Sequence, residues 1–368
     1  MRETRKKKLK SSKGGMKILV AILIILLIVA GILFAMKEMQ DKNSEEVGDS
    51  NIIVQQQEDK KAQPKTFSGS ERLIAFMVDN HIDAVPQAGL EQADLVYEII
   101  VEGGETRLMM LMQNQDLEKI GPLRSARHYF LDYALENDAI YVHYGQSPQA
   151  KSDIETLGIT DINGIYESET LFWRDNTRYA PHNAVTSTKN LKTIFERDGI
   201  RTTSNKGNVL NYVAEEVELE DIKETGETNT TEETEIKVTN LANTVIIPYS
   251  TYNTVKYTYN AETKTYTRYT KDTVQKDWNT GNAISVKNII ITKCENSTID
   301  SYGRQTIDNI KTLDGYYITN GKYIPIKCEK TSRSGKTVYK DLKGNEIEVN
   351  DGKTFIQICP IDSEISFK

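Results

Sequence analysis

The sequence predicts an α/β protein: a layered α/β domain over residues 71–215, then a β-rich domain over 240–368, behind one transmembrane helix. Three observations carry this expectation. Short apolar runs alternate with helix-like stretches between Arg72 and Asn211. After residue 240 the texture changes to alternating Thr, Tyr and Val with hairpin turns. Near the start, "ILVAILIILLIVAGILFAM" (18–36) runs for nineteen residues without a charge. At about 1.5 Å per residue, that reaches across a bilayer core of roughly 30 Å. A chain of 368 residues also suits two folded domains better than one.

Charge is placed unevenly. Residues 1–17 carry eight Lys or Arg and one Glu, while the whole chain is −7. The part after Lys17 is therefore strongly acidic, which argues against a nucleic-acid partner. The basic block precedes the apolar run, so residues 1–17 are expected in the cytoplasm and everything after residue 37 outside. No small-x-small site follows the run, and it is long for the core of a signal peptide. A retained single-pass anchor is the expectation, a cleaved signal the alternative. Residues 37–70 are polar and aperiodic, as a stalk would be.

The folded part follows in order. "RLIAFMVDN", "ADLVYEIIVEGG" and "TRLMMLMQNQ" read as strands, with Gly103-Gly104 as a turn. "GPLRSARHYFLDYALEND" turns into a helix opened by Ser125. "AIYVHYG" is a strand. "SPQAKSDIETLG" is a helix with Ser147 as N-cap and Pro148 at its first position, and "TSTKNLKTIFERDG" another helix. Residues 216–239 are acidic and read as a linker or a long exposed loop. Beyond them, "DGYYITNGKYIPIKCE" places Asn320-Gly321 between two β-like runs, the turn of a hairpin. Cys294, Cys328 and Cys359 lack metal-site spacing and are expected to be buried thiols, with one disulfide outside the cell as the alternative.

All four histidines lie between residues 80 and 182, alongside Arg107, Arg124, Arg127, Arg174 and Arg178. A polar site is expected in this half. Arg124-Ser125-Ala126-Arg127 follows a Gly-Pro turn at an expected helix start. Unpaired amides there favour an anion, and the two guanidinium forks suit phosphate or carboxylate. The competing reading is that both arginines pair with acids or point into water. On a strand, Glu98 shares a face with Glu102 and lies under an apolar layer. It is either a ligand to a divalent cation, with Glu102, or the acid of an ion pair, with Arg107 as the candidate partner. His143 ends a strand where open α/β sheets bind ligands. Arg174, Arg178 and His182 sit in "FWRDNTRYAPHNAVTS", a loop with recognition character. No P-loop, GxSxG, HExxH or CxxC motif is present.

"DNHIDAVPQAGLEQADLVYEIIVEGGETRLMMLMQ", "KIGPLRSAR", "DAIYVHYGQSPQA" and "APHNAVTST", with "GYYITNGKYIPI" and "GKTFIQICP", resemble the YerB-like family of bacterial envelope lipoproteins, whose paired domains have no known function. Members of that family often carry a lipidated cysteine after the signal peptide. No cysteine stands near residue 36, so a helical anchor would replace the lipid. A weaker likeness, in "TRLMMLM", "EKIGPLRSAR" and "VHYGQSPQAKSDIETLGI", is to LytR-CpsA-Psr phosphotransferases, which act on polyprenyl-pyrophosphate-linked polymer. Their Asp-Thr pair is replaced here by Glu105-Thr106. The resemblances imply an exported, membrane-tethered envelope protein. It would bind a partner protein or an anionic lipid-linked or polymeric ligand through the Arg/His-rich half. The alternative is a phosphotransferase in which Arg124 and Arg127 hold pyrophosphate.

Overall fold

The computed structural model of the protein describes residues 62–204, 206–226, 234–238 and 240–368. The basic segment, the apolar run 18–36 and the stalk as far as residue 61 lie outside these described residues. Among the described residues, no helix is long and apolar enough to cross a membrane.

The first five strands are β1 (Ile74–Asp79), β2 (Leu95–Ile100), β3 (Thr106–Met112), β4 (Ile140–His143) and β5 (Asp161–Asn163). They form half of a ten-stranded sheet. Its order from one edge is Val338–Lys340, Lys322–Glu329, Thr312–Thr319, Asn288–Cys294, Thr354–Pro360, β2, β3, β1, β4, β5. Strand Thr354–Pro360 lies parallel to β2, Leu95 opposite Thr354 and Ile99 opposite Ile358. It is also parallel to Asn288–Cys294 on its other side. The expected N- and C-terminal regions therefore share one sheet. The reason is visible in β2 and Thr354–Pro360. Every residue of both is buried, so each strand must have a hydrogen-bonded neighbour along both edges.

Side chains alternate across this sheet with the two-residue strand period, which creates two cores. On one face Met77, Tyr97 and Met109 pack with Phe130 and Leu131 of helix α1 (His128–Glu136) and Ala150 and Ile154 of α2 (Pro148–Leu157). On the other face Phe76, Val78, Val96 and Leu108 meet Leu191 and Ile194 of α3 (Thr188–Asp198). That second core is completed by Val245, Val255, Tyr257 and Tyr266 from a six-stranded sheet. The result is mixed α/β, rich in sheet and sparing in helix.

Helix α2 starts and stops as its sequence dictates. Ser147 Oγ accepts the Ala150 amide, and Gly158 closes the helix at φ 63°. Gly103 and Gly104 turn β2 into β3 at φ 68° and 72°, a region that favours glycine. Three expectations change. Helix α1 begins at His128 with Arg127 at the N-cap, not at Ser125. The preceding segment instead runs extended, its Leu123, Arg124 and Ala126 amides bonded to the carbonyls of Ala184, Met77 and Gly145. The acidic stretch forms a hairpin, Ile222–Gly226 against Thr234–Val238. The end of the expected stalk is tied down, since buried Thr66 donates through its amide to Asp351 Oδ1 at 2.9 Å. The three cysteines are free and buried, and burial pushes each thiol up to about 12.

Candidate functional site

Strands β1 and β4 run parallel, Ile74 opposite Ile140. They end at Asp79 and His143, the carboxyl edge where such sheets favour ligand sites. Asp79, 4 % exposed, is the centre of the arrangement. Its Oδ2 accepts His182 Nδ1 at 2.8 Å and lies 3.1 Å from Arg124 Nε. Its Oδ1 accepts the His81 amide at 3.1 Å. His81 and His182 stack with ring centroids 4.5 Å apart.

His182 arrives from a pinned loop. Trp173–Arg174 pairs antiparallel with Ala184–Val185, and residues 175–183 cross between them. Arg178 donates to the carbonyls of Ala84 at 2.6 Å and Pro86 at 2.7 Å. Its guanidinium also lies 3.5 Å from the centre of the Trp278 ring. Arg174 donates to Asn183 Oδ1 at 2.9 Å and lies 4.8 Å over the Tyr144 ring. These two arginines hold the loop that presents His182.

The Arg124–Arg127 pair divides. Arg127 is buried, with Nε on Glu102 Oε1 at 2.5 Å and Nη1 on the Ala126 carbonyl at 2.8 Å. Arg107 donates to the Ser125 carbonyl and stands 3.6 Å from Glu102 Oε2. Burial, then the nearby Arg127 charge, hold Arg107 down to about 10. Burial alone would raise Glu102, but the Arg127 hydrogen bond and both guanidinium charges outweigh it and keep its carboxyl below the ordinary range. Arg124 differs from both. Its Nε is buried and off the line of a hydrogen bond to Asp79, although within ion-pair distance. Its side chain is 26 % exposed, and its two terminal nitrogens have no hydrogen-bond partner among the described residues. Ser125 Oγ donates to the Tyr144 carbonyl at 3.2 Å. The Ala126 amide, the first that a helix end at Ser125 would have offered, is already bonded to the Gly145 carbonyl.

Glu98 and Glu102 do not combine into a cation site. Glu98 Oε1 accepts Asn80 at 3.1 Å and Thr106 at 2.8 Å, while Oε2 accepts Arg268 at 2.9 Å. A metal would have to displace an arginine at either carboxylate. Nor is Arg107 the partner of Glu98. In the register, Glu98 opposes Leu108 and Ile99 opposes Arg107, so the two charges point to opposite faces. Glu98 faces the second sheet, which supplies Arg268. His143 is fully buried between the Gly145 carbonyl at 2.7 Å and Asp161 Oδ2 at 2.9 Å, with neither ring nitrogen free for a ligand.

Sequence reasoning did not single out Asp79, Asp83, Arg268 or Trp278. The signal for the first two was "DNHID" at the carboxyl end of a strand. Nothing local identifies the other two, which come from the far half of the chain. One further group matters for chemistry: His81, Asp83 and His182 each bring a metal-ligating atom within 4.8 Å of the others.

Known proteins match the chain over most of its length. Residues 60–201 match the family described as "Protein of unknown function (DUF3048) N-terminal domain", and residues 245–356 its C-terminal domain. A Bacillus subtilis (strain 168) protein named "Putative lipoprotein YerB" is 31 % identical over 300 residues, 78 % of this chain and 81 % of that protein. The crystal structure of the Bacillus subtilis YerB protein superimposes with a TM-score of 0.68 at 30 % identity. It covers 81 % of this chain and 94 % of that one.

Proposed function

The chain belongs to the YerB-like family with paired DUF3048 domains, and from that premise we propose a membrane-tethered envelope protein that binds an anionic group at Arg124. Two things support the tether: the apolar run 18–36 with its basic flank, and the word lipoprotein in the relative's name. On this reading the folded part stands outside the cell.

The binding proposal rests on one observation. Arg107, Arg127, Arg174 and Arg178 each hydrogen-bond to protein through a guanidinium nitrogen. Arg124 presents its terminal nitrogens without a hydrogen-bond partner among the described residues, and its Nε lies within ion-pair distance of Asp79 without a hydrogen bond. A partly exposed guanidinium set beside a buried carboxylate and open at its outer two nitrogens can take a bidentate phosphate or carboxylate. The adjacent His81 and His182 add hydrogen-bonding capacity. The transferase alternative gains no support from this geometry. Its second arginine, Arg127, is bonded to Glu102, and Thr106 is buried against Glu98.

The test is thermal stabilisation of the full chain in detergent by inorganic pyrophosphate, with a chelator present. A saturable shift is expected in the native protein and in Arg174→Ala, and its loss in Arg124→Ala. An undiminished shift in Arg124→Ala would overturn the proposal.

A further inference from the structure

We propose that His81, Asp83 and His182 form a divalent transition-metal site of the zinc class. Zinc in its catalytic and exchangeable sites takes three protein ligands from imidazole and carboxylate and leaves a fourth position open. Two imidazoles and one carboxylate suit zinc better than calcium or magnesium, which prefer oxygen throughout.

The distances fit. His81 Nδ1 lies 3.5 Å from Asp83 Oδ2. Two ligand atoms about 2.0–2.1 Å from a tetrahedral zinc stand about 3.3–3.4 Å apart, so this pair is already spaced as one edge of such a coordination polyhedron. A ring nitrogen of His182 completes the group within 4.8 Å. Closing that remaining gap requires the rings to leave their stack. The His81 side chain is 35 % exposed and that of Asp83 70 % exposed, which leaves room for the turn.

The protonation pattern also fits. His182 Nδ1 faces a carboxylate, which can only accept, so in the neutral ring Nδ1 carries the hydrogen and Nε2 keeps its lone pair. A carboxylate behind a histidine in this way orients it for a metal. His81 Nδ1 accepts the Asp83 amide at 3.2 Å, so that nitrogen is unprotonated, and a metal would take its lone pair in exchange for this hydrogen bond. Asp83 brings one negative charge to a divalent ion, while the charge of Asp79 is already met by Arg124. Arg124 meets the same Asp79 oxygen as His182, so an anion held by Arg124 would be a neighbour of the metal site. The metal site does not depend on that anion: the three ligands need no Arg124, and Arg124 needs no metal.

The full chain in detergent, stripped with chelator and moved to a phosphate-free buffer, is titrated calorimetrically with Zn²⁺ alone. One ion per chain is expected. Affinity is expected to fall by at least about tenfold in Asp83→Asn and further in His81→Ala/His182→Ala. Cobalt loaded in place of zinc is expected to show the visible absorption of a tetrahedral centre. If the double variant loses its thermal transition, Asp83→Asn, altered at an exposed side chain, decides the matter. The proposal is overturned if the native chain takes up no Zn²⁺, or if Asp83→Asn and the double variant bind it as the native chain does. Loss of the pyrophosphate response in chelator with zinc binding intact would sink the anion reading alone.

Discussion

Glu98 and Asp79 are both strand carboxylates set against an arginine, yet they have different surroundings. Glu98 and Arg268 are each 0 % exposed, and every oxygen of the carboxylate is hydrogen-bonded. Asp79 is nearly as enclosed, but its partners Arg124 and His182 are 26 % and 15 % exposed. A carboxylate whose partners are all buried locks two layers together. On the proposed reading, a carboxylate whose partners reach water holds them where an arriving anion can meet them. The same contrast separates Arg127, spent on Glu102, from Arg124 three residues earlier.

The contrast can be broken or sharpened by substitution, starting with the largest effect. Arg268→Met strands a charge on Glu98 between the sheets. A loss of about 3–5 kcal/mol is expected in denaturant unfolding; a loss below about 1 kcal/mol would show that the pair does not lock the layers. Arg127→Ala should cost roughly 1.5–3 kcal/mol by the same measurement, because Glu102 and the Ala126 carbonyl lose a charged donor. Arg124→Ala should cost less than about 1 kcal/mol, as expected for a partly exposed pair, while abolishing the pyrophosphate shift. Comparable destabilisation by Arg124→Ala and Arg127→Ala would erase the distinction between them.

The smallest effect is a pH dependence. The Glu102 carboxyl lies below its ordinary value of 4.5 in the folded chain. Its contribution is therefore complete above that value and is lost as pH falls through the folded value. Melting temperatures followed downward from about pH 5.5 should fall less steeply in Glu102→Gln than in the native chain. Parallel profiles would remove Glu102 from the account of acid stability.

Much of the first half was legible because its signals are local. The strands β1 to β4, the glycine turn and the caps of α2 follow from periods, Ser147 and Gly158. Ser125 misled because a serine after a proline looks like an N-cap. The segment instead completes bridges to β1 and to residues 145 and 184, and those partners cannot be read from neighbouring residues. Glu98 was legible as a carboxylate needing a cation, but the partner was not. The choice between Arg107 and Arg268 turns on which face of the sheet each side chain occupies.

By itself the sequence determined composition, the apolar run, the α/β alternation and the placement of every histidine and most candidate arginines in one half. These follow from periodicity and residue type, which act over a few residues. The tertiary structure decided which arginines are spent and which is open, and it brought Asp79, His81, Asp83, Arg124 and His182 together. Those outcomes depend on strand register, on a strand from the end of the chain pairing with β2, and on a loop pinned to residues 84–86. They arise because buried backbone and buried charge must find partners wherever along the chain those partners lie.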